Sequence, residues 1–191
     1  LHHYPKILSG HSRKTDNLLT VCLVEWENVV NVAFCPFPYR SELQRKVLFP
    51  SHGKNWIWKP ELDAALKWRE LKYDYWKIKV IDSWEFVPVD WDNKPFSFIH
   101  DDYKTRQAIV AESKRTGIPN GAEKTIKLGL NSLYGKTCQK IGYDAKTGRK
   151  PPYHNLAYAG YITSATRAKL FDAAMQAPGD IIALATDGVY S

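Results

Sequence analysis

A chain of 191 residues is long enough for one sizeable core, or for two lobes that share a boundary. Its 44% hydrophobic and 25% charged residues are ordinary for a folded soluble protein, and no apolar run approaches the roughly 18–20 residues that cross a bilayer, so no membrane partner is expected. The 27 basic residues against 20 acidic ones give +7, which attracts polyanions, phosphate backbones foremost; Cys22, Cys35 and Cys138 stand far apart with no CxxC pair, which argues against a disulfide framework or a zinc site and for reduced, intracellular thiols.

The chain opens on Leu1-His2-His3-Tyr4-Pro5, neither a signal peptide nor a start methionine, so an internal piece of a longer protein is expected. Leu18 to Phe34 is rich in Val and Leu and is interrupted at Glu27-Asn28, which predicts a β-hairpin. Pro36 and Pro38 then punctuate the chain. Lys46 to Phe49 and Trp56 to Trp58 are short strand candidates around the Ser51-His52-Gly53 turn. Pro60 followed by Glu61 and Asp63 starts a helix, with proline in the first turn and acids near the positive end of the dipole, and that helix is expected to reach about Tyr75. Lys79 to Val87 alternates as a strand does. The aromatics crowd into residues 26–103, where core packing accounts for them more simply than base stacking.

From Asp101 the character becomes helical. Asp101 to Lys114 reads as one helix, and the acids of His100-Asp101-Asp102 suit a helix start better than a ligand cluster. Gly117-Ile118-Pro119 breaks it. Asn120 with Glu123 three residues on matches a capping box and opens a second helix to about Lys136, so the pair forms an antiparallel helical hairpin. Leu156 to Met175 fits a third long helix. Ile181 to Leu184, Asp187-Gly188 and Val189-Tyr190 then predict a closing β-hairpin, and the whole reads as α+β.

Helical spacing sorts the second helix into two faces. Ile126, Leu130 and Leu133 line one apolar face. Lys124, Lys127, Asn131 and Tyr134 form a second row, cationic at one end and amide plus phenol at the other. Such a row could grip a nucleotide lengthwise, ammonium groups on the phosphates and Asn and Tyr near sugar and base. A solvated face carrying two lysines has the same spacing.

The residues from Lys127 to Lys136, with Asn131-Ser132-Leu133-Tyr134-Gly135 at their centre, resemble motif B of family-B DNA polymerases, a lysine, three residues, then Asn-Ser-x-Tyr-Gly. The resemblance implies that Lys127 contacts the incoming triphosphate, that Asn131 and Tyr134 border the nucleotide pocket, and that Ser132 and Gly135 lie toward the DNA. Arg106 looks like the family's second triphosphate-binding cation. Val110 stands where the family usually carries a lysine four residues after that arginine, a place Lys114 or Lys124 could fill.

Downstream, Ala185-Thr186-Asp187-Gly188 resembles motif C, usually Asp-Thr-Asp-Ser, with Ala185 for the first Asp and Gly188 for Ser. Nucleotidyl transfer to a primer uses two divalent cations about 3.5–4 Å apart, held by carboxylates. The resemblance therefore implies Asp187 as a catalytic metal ligand for two Mg²⁺ or Mn²⁺ ions; an Asp-Gly turn without chemistry is the other reading. A Thr-Asp-Gly form is similar to the primer-independent branch of the family. Tyr4-Pro5 is similar to the end of motif A, Asp-x-x-Ser-Leu-Tyr-Pro, which implies a metal-binding Asp two residues upstream of Leu1 and a sugar-filtering role for Tyr4. Thr163-Ser-Ala-Thr-Arg167 resembles the Thr-x-x-Gly-Arg template motif of protein-primed members, with Thr166 in place of Gly. Thr163 and Arg167, four apart, share a helix face and either hold a DNA phosphate or are solvated.

The resemblance spans almost the whole chain. It implies a palm, an antiparallel sheet with helices, interrupted by a helical-hairpin fingers subdomain: 1–98 palm with an insertion, 99–140 fingers, 141–191 returning palm ending in the motif C hairpin. Template-primer DNA and dNTPs are the expected partners, with a terminal protein as a further candidate, and the expected source is a virus, phage or mobile element. A catalytically dead relative that only binds nucleic acid is the alternative.

Overall fold

The computed structural model describes residues 3–8, 19–30, 34–88, 96–139, 142, 144–149, 151, 154–185 and 188–191, of which 3–8, 87, 88 and 185 are described by their backbone alone. The elements run β1 (His3–Leu8), β2 (Thr20–Glu27), β3 (Tyr39–Ser41), β4 (Lys46–Leu48), β5 (Gly53–Trp58), α1 (Lys59–Leu71), β6 (Lys77–Pro88), α2 (Phe98–Thr116), α3 (Gly121–Cys138), α4 (Leu156–Gln176), a 3-10 turn (Pro178–Asp180), β7 (Ala183–Ala185) and β8 (Gly188–Tyr190). The described residues form a mixed structure of helices and small antiparallel sheets, in keeping with the expected α+β class. Their contacts divide the chain into two compact units, Val89–Ala159 and a second built from His2–Pro88 and Gly160–Ser191, and α4 belongs in part to each.

In the second unit, four strands pair in the order β1-β6-β2-β5, all antiparallel. Strand β2 alternates strictly, with Thr20, Cys22, Val24 and Trp26 buried on one face, the period-two pattern of a half-buried strand. A bulge between Leu23 and Val24 shifts its register against β6. The buried face packs with α1 and α4 through Leu62, Ala65, Phe171 and Met175. Three tryptophans find acceptors for their indole N–H: Trp26 on the Pro50 carbonyl at 2.9 Å, Trp76 on that of Val30 at 2.8 Å, and Trp68 on Asp172 Oδ1 at 2.7 Å. Such pairing is what lets these large side chains be buried.

Among the described residues of 18–34 the expected hairpin does not form. Strand β2 pairs instead with β5 and β6, because Asn28 takes a left-handed conformation (φ 56°) and turns the chain out of the sheet. Val29 then donates to the Ser51 carbonyl at 2.9 Å and is fully buried. Of the described apolar residues after Asn28, Val29 is buried and Phe34 packs against the core, whereas Val30 is exposed. Helix α1 stops at Leu71, four residues short of expectation. Beyond it the Tyr73 N–H returns to the Trp68 carbonyl at 3.2 Å and the Trp76 N–H to that of Tyr73 at 2.9 Å, closing a turn in which the Tyr73 ring lies flat on Trp76, centroids 4.6 Å apart and planes at 10°. Strand β6 and helix α2 each begin earlier than their patterns predict, α3 and α4 end slightly later, and β3 was not anticipated.

At the C-terminal end, β7 and β8 pair antiparallel in the register Ala185↔Gly188. The expected hairpin is therefore present in its strands. Asp187 and Thr186 lie outside the described residues.

Candidate functional site

In the first unit, α2 and α3 pack against each other, and the link between them is built on local chemistry. Gly117 caps α2 at φ 73° and donates to the Ser113 carbonyl at 3.0 Å. No atom lies near its missing Cβ, so the left-handed backbone rather than crowding favours glycine there. Asn120 has extended backbone, and its Oδ1 accepts the Ala122 N–H at 2.9 Å, which opens α3. This is a plain N-cap and not the expected capping box, in which the Asn120 side chain would accept from the Glu123 N–H. Glu123 turns away and receives Nε–H of Arg106 at 2.8 Å, with both side chains a little over a quarter exposed.

Beyond that pair, α3 separates its faces as the spacing predicts. Ile126, Leu130 and Leu133 are half-buried, whereas Lys124, Lys127, Asn131, Ser132 and Tyr134 are exposed. Tyr134 keeps 49% of its surface. The row of two ammonium groups, an amide and a phenol thus lies along one solvent-facing side over three turns. Arg106 is brought by α2 to the N-terminal turn of α3, where its partner Glu123 adjoins Lys124 in sequence. The Ser132 hydroxyl donates to the Gly129 carbonyl at 3.0 Å, and Gly135 is half-buried with open space at its missing Cβ.

The far end of α3 is tied down. The buried Thr137 accepts the Asn155 N–H on its carbonyl at 2.9 Å and donates its hydroxyl to the Tyr134 carbonyl. Asn155 in turn accepts the Tyr158 N–H at 3.1 Å, capping the start of α4, and the Phe96 and Tyr158 rings meet edge to face at 5.0 Å. A helix fixed at both ends presents its exposed row on a rigid support.

The remaining candidate residues belong to the second unit. On α4, Thr163 is exposed, and Arg167 donates Nε–H to Oε1 of Glu61 on α1. Glu61 is only 2% exposed, and Arg167 keeps 32% of its side-chain surface. Burial pushes the Glu61 carboxyl above its ordinary range, while Arg167 and then Ser164 pull it back. Ser164 stands beside the carboxylate, yet neither its hydroxyl nor Oε2 of Glu61 completes a hydrogen bond of ordinary length and angle. One turn further along α4, Asp172 accepts from Lys67 at 3.1 Å as well as from Trp68. Tyr4 lies on β1 opposite Val87, and its side chain, like Asp187, is outside the described residues.

Sequence reasoning assigned Glu61 and Glu123 to helix starts alone. Their arginine partners, 106 and 17 positions away, have no local signal. Among the described residues no three His, Cys, Asp or Glu side chains gather to hold a metal ion, so those residues do not by themselves make the expected two-metal site. Among them, too, no helix is long and apolar enough to cross a membrane.

No protein-family model and no curated protein sequence matches the chain. Among solved structures it is similar to one described as Phi29 DNA polymerase, orthorhombic crystal form, with a TM-score of 0.63 at 17% identity. The match covers 97% of this chain and 34% of that one, so the chain spans about a third of that polymerase. At this identity the likeness speaks for the fold: the chain is folded like part of a DNA polymerase.

Proposed function

We propose that the chain is the palm–fingers part of a family-B DNA-directed DNA polymerase, which joins dNTPs to a DNA 3′-hydroxyl on a template. The observation that carries this reading is the exposed row Lys124, Lys127, Asn131 and Tyr134 on α3, within the sequence Asn131-Ser132-Leu133-Tyr134-Gly135. In this reading 1–98 and 141–191 are palm and 99–140 fingers. Lys127, Lys124 and Arg106 neutralise the triphosphate, Asn131 and Tyr134 border base and sugar, and Tyr4 excludes a ribose 2′-hydroxyl. Ser132, Gly135, Thr163 and Arg167 face DNA. The rate gain from such residues lies in positioning and in neutralising developing charge.

Asp187 is proposed as the metal carboxylate on the strength of Thr186-Asp187-Gly188 between β7 and β8. Bound Mg²⁺ or Mn²⁺ would supply activation of the 3′-hydroxyl and stabilisation of the leaving pyrophosphate. DNA and dNTPs are the proposed partners, a terminal protein a further one, and a virus, phage or mobile element the proposed source.

Primer extension by the full-length protein tests the reading. Lys127→Ala should raise the nucleotide KM and lower kcat, and Asp187→Ala should abolish extension while leaving DNA binding largely intact. Normal kinetics in the first variant would refute the triphosphate role; undiminished extension in the second would refute the metal role. Ala185, standing where motif C has its first Asp, favours a second reading: a DNA binder without polymerase activity. That protein would bind DNA in a salt-sensitive way and incorporate no nucleotide.

A further inference from the structure

The geometry points to Glu61 as a positioning residue for Arg167: from a buried site on α1 its carboxylate holds Nε of the guanidinium and fixes the outer edge for a DNA phosphodiester. The inference rests on the proposed reading of Arg167 as a DNA contact and adds the group that aims it.

Three observations carry it. First, the two ends of the pair differ in exposure. Glu61 is 2% exposed, but Arg167 keeps 32% of its side-chain surface, so the arginine reaches from a dry anchor toward solvent. Second, the contact engages Nε and Oε1. A guanidinium is planar, with its N–H groups in a rigid fork. Holding Nε orients the plane and leaves the terminal nitrogens in the geometry that meets a phosphate with paired N–H bonds. Side-chain freedom that would otherwise be lost on binding DNA is already lost in the folded protein.

Third, stability alone accounts poorly for this carboxylate. A buried charge is disfavoured, and a buried oxygen without a partner costs on the order of 1–3 kcal/mol. Here Oε2 of Glu61 has beside it only the buried Ser164 hydroxyl, which pulls the carboxyl pKa down but falls short of ordinary hydrogen-bond geometry. Apolar residues in place of a buried ion pair are often as stabilising or more so. The joining of α1 to α4 does not depend on it either, since Leu62, Ala65 and Phe171 pack there and Asp172 binds both Trp68 and Lys67. A local rule broken in the core, next to a half-exposed arginine, is the pattern of a group kept for function. Thr163, exposed one turn before Arg167, extends the same face of α4.

The test measures affinity for a primer-template duplex by fluorescence anisotropy, across a salt series, in the full-length protein. The variants are Arg167→Ala, Arg167→Lys, Glu61→Gln and the double variant Glu61→Gln/Arg167→Ala. Arg167→Ala should weaken binding about tenfold and shallow the salt dependence by about one phosphate contact. Glu61→Gln should weaken binding several-fold on its own and add nothing to Arg167→Ala, because both act through one guanidinium. Arg167→Lys keeps the charge but has no Nε for Glu61 and no fork, and should bind as poorly as Arg167→Ala. A purely structural Glu61 would lower the melting temperature and leave the affinity of the folded protein unchanged.

Wild-type affinity in Glu61→Gln, beside a clear loss in Arg167→Ala, overturns the positioning role and leaves the DNA contact standing. Wild-type affinity in Arg167→Lys overturns it as well, and does so should Glu61→Gln fail to fold. Wild-type affinity in Arg167→Ala removes the DNA contact itself, and the inference with it.

Discussion

Arg106 and Glu123 meet across the α2–α3 hairpin, Nε to Oε1 at 2.8 Å, and the contact withdraws the glutamate from the backbone N–H of Asn120 that its position would otherwise serve. The same arginine is proposed to hold a triphosphate. Unlike Glu61, which is buried and fixed, Glu123 is partly exposed and free to move, so under that proposal its charge would compete with the nucleotide for Arg106.

Glu123→Gln should lower the nucleotide KM, and Arg106→Ala should raise it. The pair is partly exposed, so the competing contact is worth about 0.2–1 kcal/mol and the gain in Glu123→Gln is at most about fivefold. Steady-state incorporation over a range of dNTP concentrations measures both. A raised KM in Glu123→Gln would mean that the glutamate helps hold Arg106 in its binding geometry instead of opposing the nucleotide.

Gly160 should tolerate no larger residue. A Cβ at this position would fall 2.3 Å from the Trp58 indole, well inside contact distance. Gly160→Ala has to displace a ring stacked on Phe86 at 5.7 Å, and overpacking of this kind costs about 1–3 kcal/mol. Glycine within a helix is itself unfavourable by about 1 kcal/mol relative to alanine, so propensity alone predicts the opposite sign. Denaturant unfolding followed by tryptophan fluorescence decides between them.

The Glu61 carboxyl titrates above its ordinary value of 4.5, first because it is buried. A raised carboxyl binds more protons folded than unfolded, so between 4.5 and its folded value stability falls as pH rises. Below 4.5 the penalty is absent; above the folded value it is complete. Glu61→Gln lacks this dependence. The stability of the natural protein relative to that variant should accordingly be greater at about pH 5 than at about pH 7.5, as measured by denaturant unfolding at the two values.

The three thiols should differ in reactivity. Burial pushes Cys22 up to about 11 and raises Cys35 as well, while Cys138 is exposed. At pH 8 only about one part in a thousand of Cys22 is thiolate, the reactive form. Iodoacetamide should modify Cys138 first and Cys22 only after unfolding, which peptide mass spectrometry resolves. Early modification of Cys22 would mean that β2 opens easily.

Where structure arises from neighbours in sequence, it was legible. The spacing of Ile126, Leu130 and Leu133 separates the faces of α3, Asn120 caps it, Gly117 ends α2, and the long apolar stretch from Leu156 becomes α4. Where structure depends on distant partners, local pattern misled. The apolar run past Asn28 looked like the second arm of a hairpin, yet the strands beside β2 come from residues 53–58 and 77–88. Helix α1 ends before Trp76, whose indole N–H is held by the Val30 carbonyl 46 residues away, a partner that local pattern does not show. The roles of Glu61 and Glu123 escaped for the same reason, since nothing near a carboxylate in sequence tells which arginine folding will bring to it.

The second unit is assembled from two stretches of chain with the first unit encoded between them. Trp68 and its acceptor Asp172 are 104 residues apart, so on a ribosome α1 emerges roughly 5–20 s before the helix that completes its surroundings. During that interval Glu61 lacks Arg167, and α1 has the sheet beside it but not Phe171 and Met175 of α4. The length of the intervening stretch matters little to the finished protein, because doubling a closed loop adds only about 0.6 kcal/mol. Insertions between Pro88 and Gly160 should thus be borne easily at equilibrium, and their burden should fall on the nascent chain, as a longer wait before α4 completes the cover of α1.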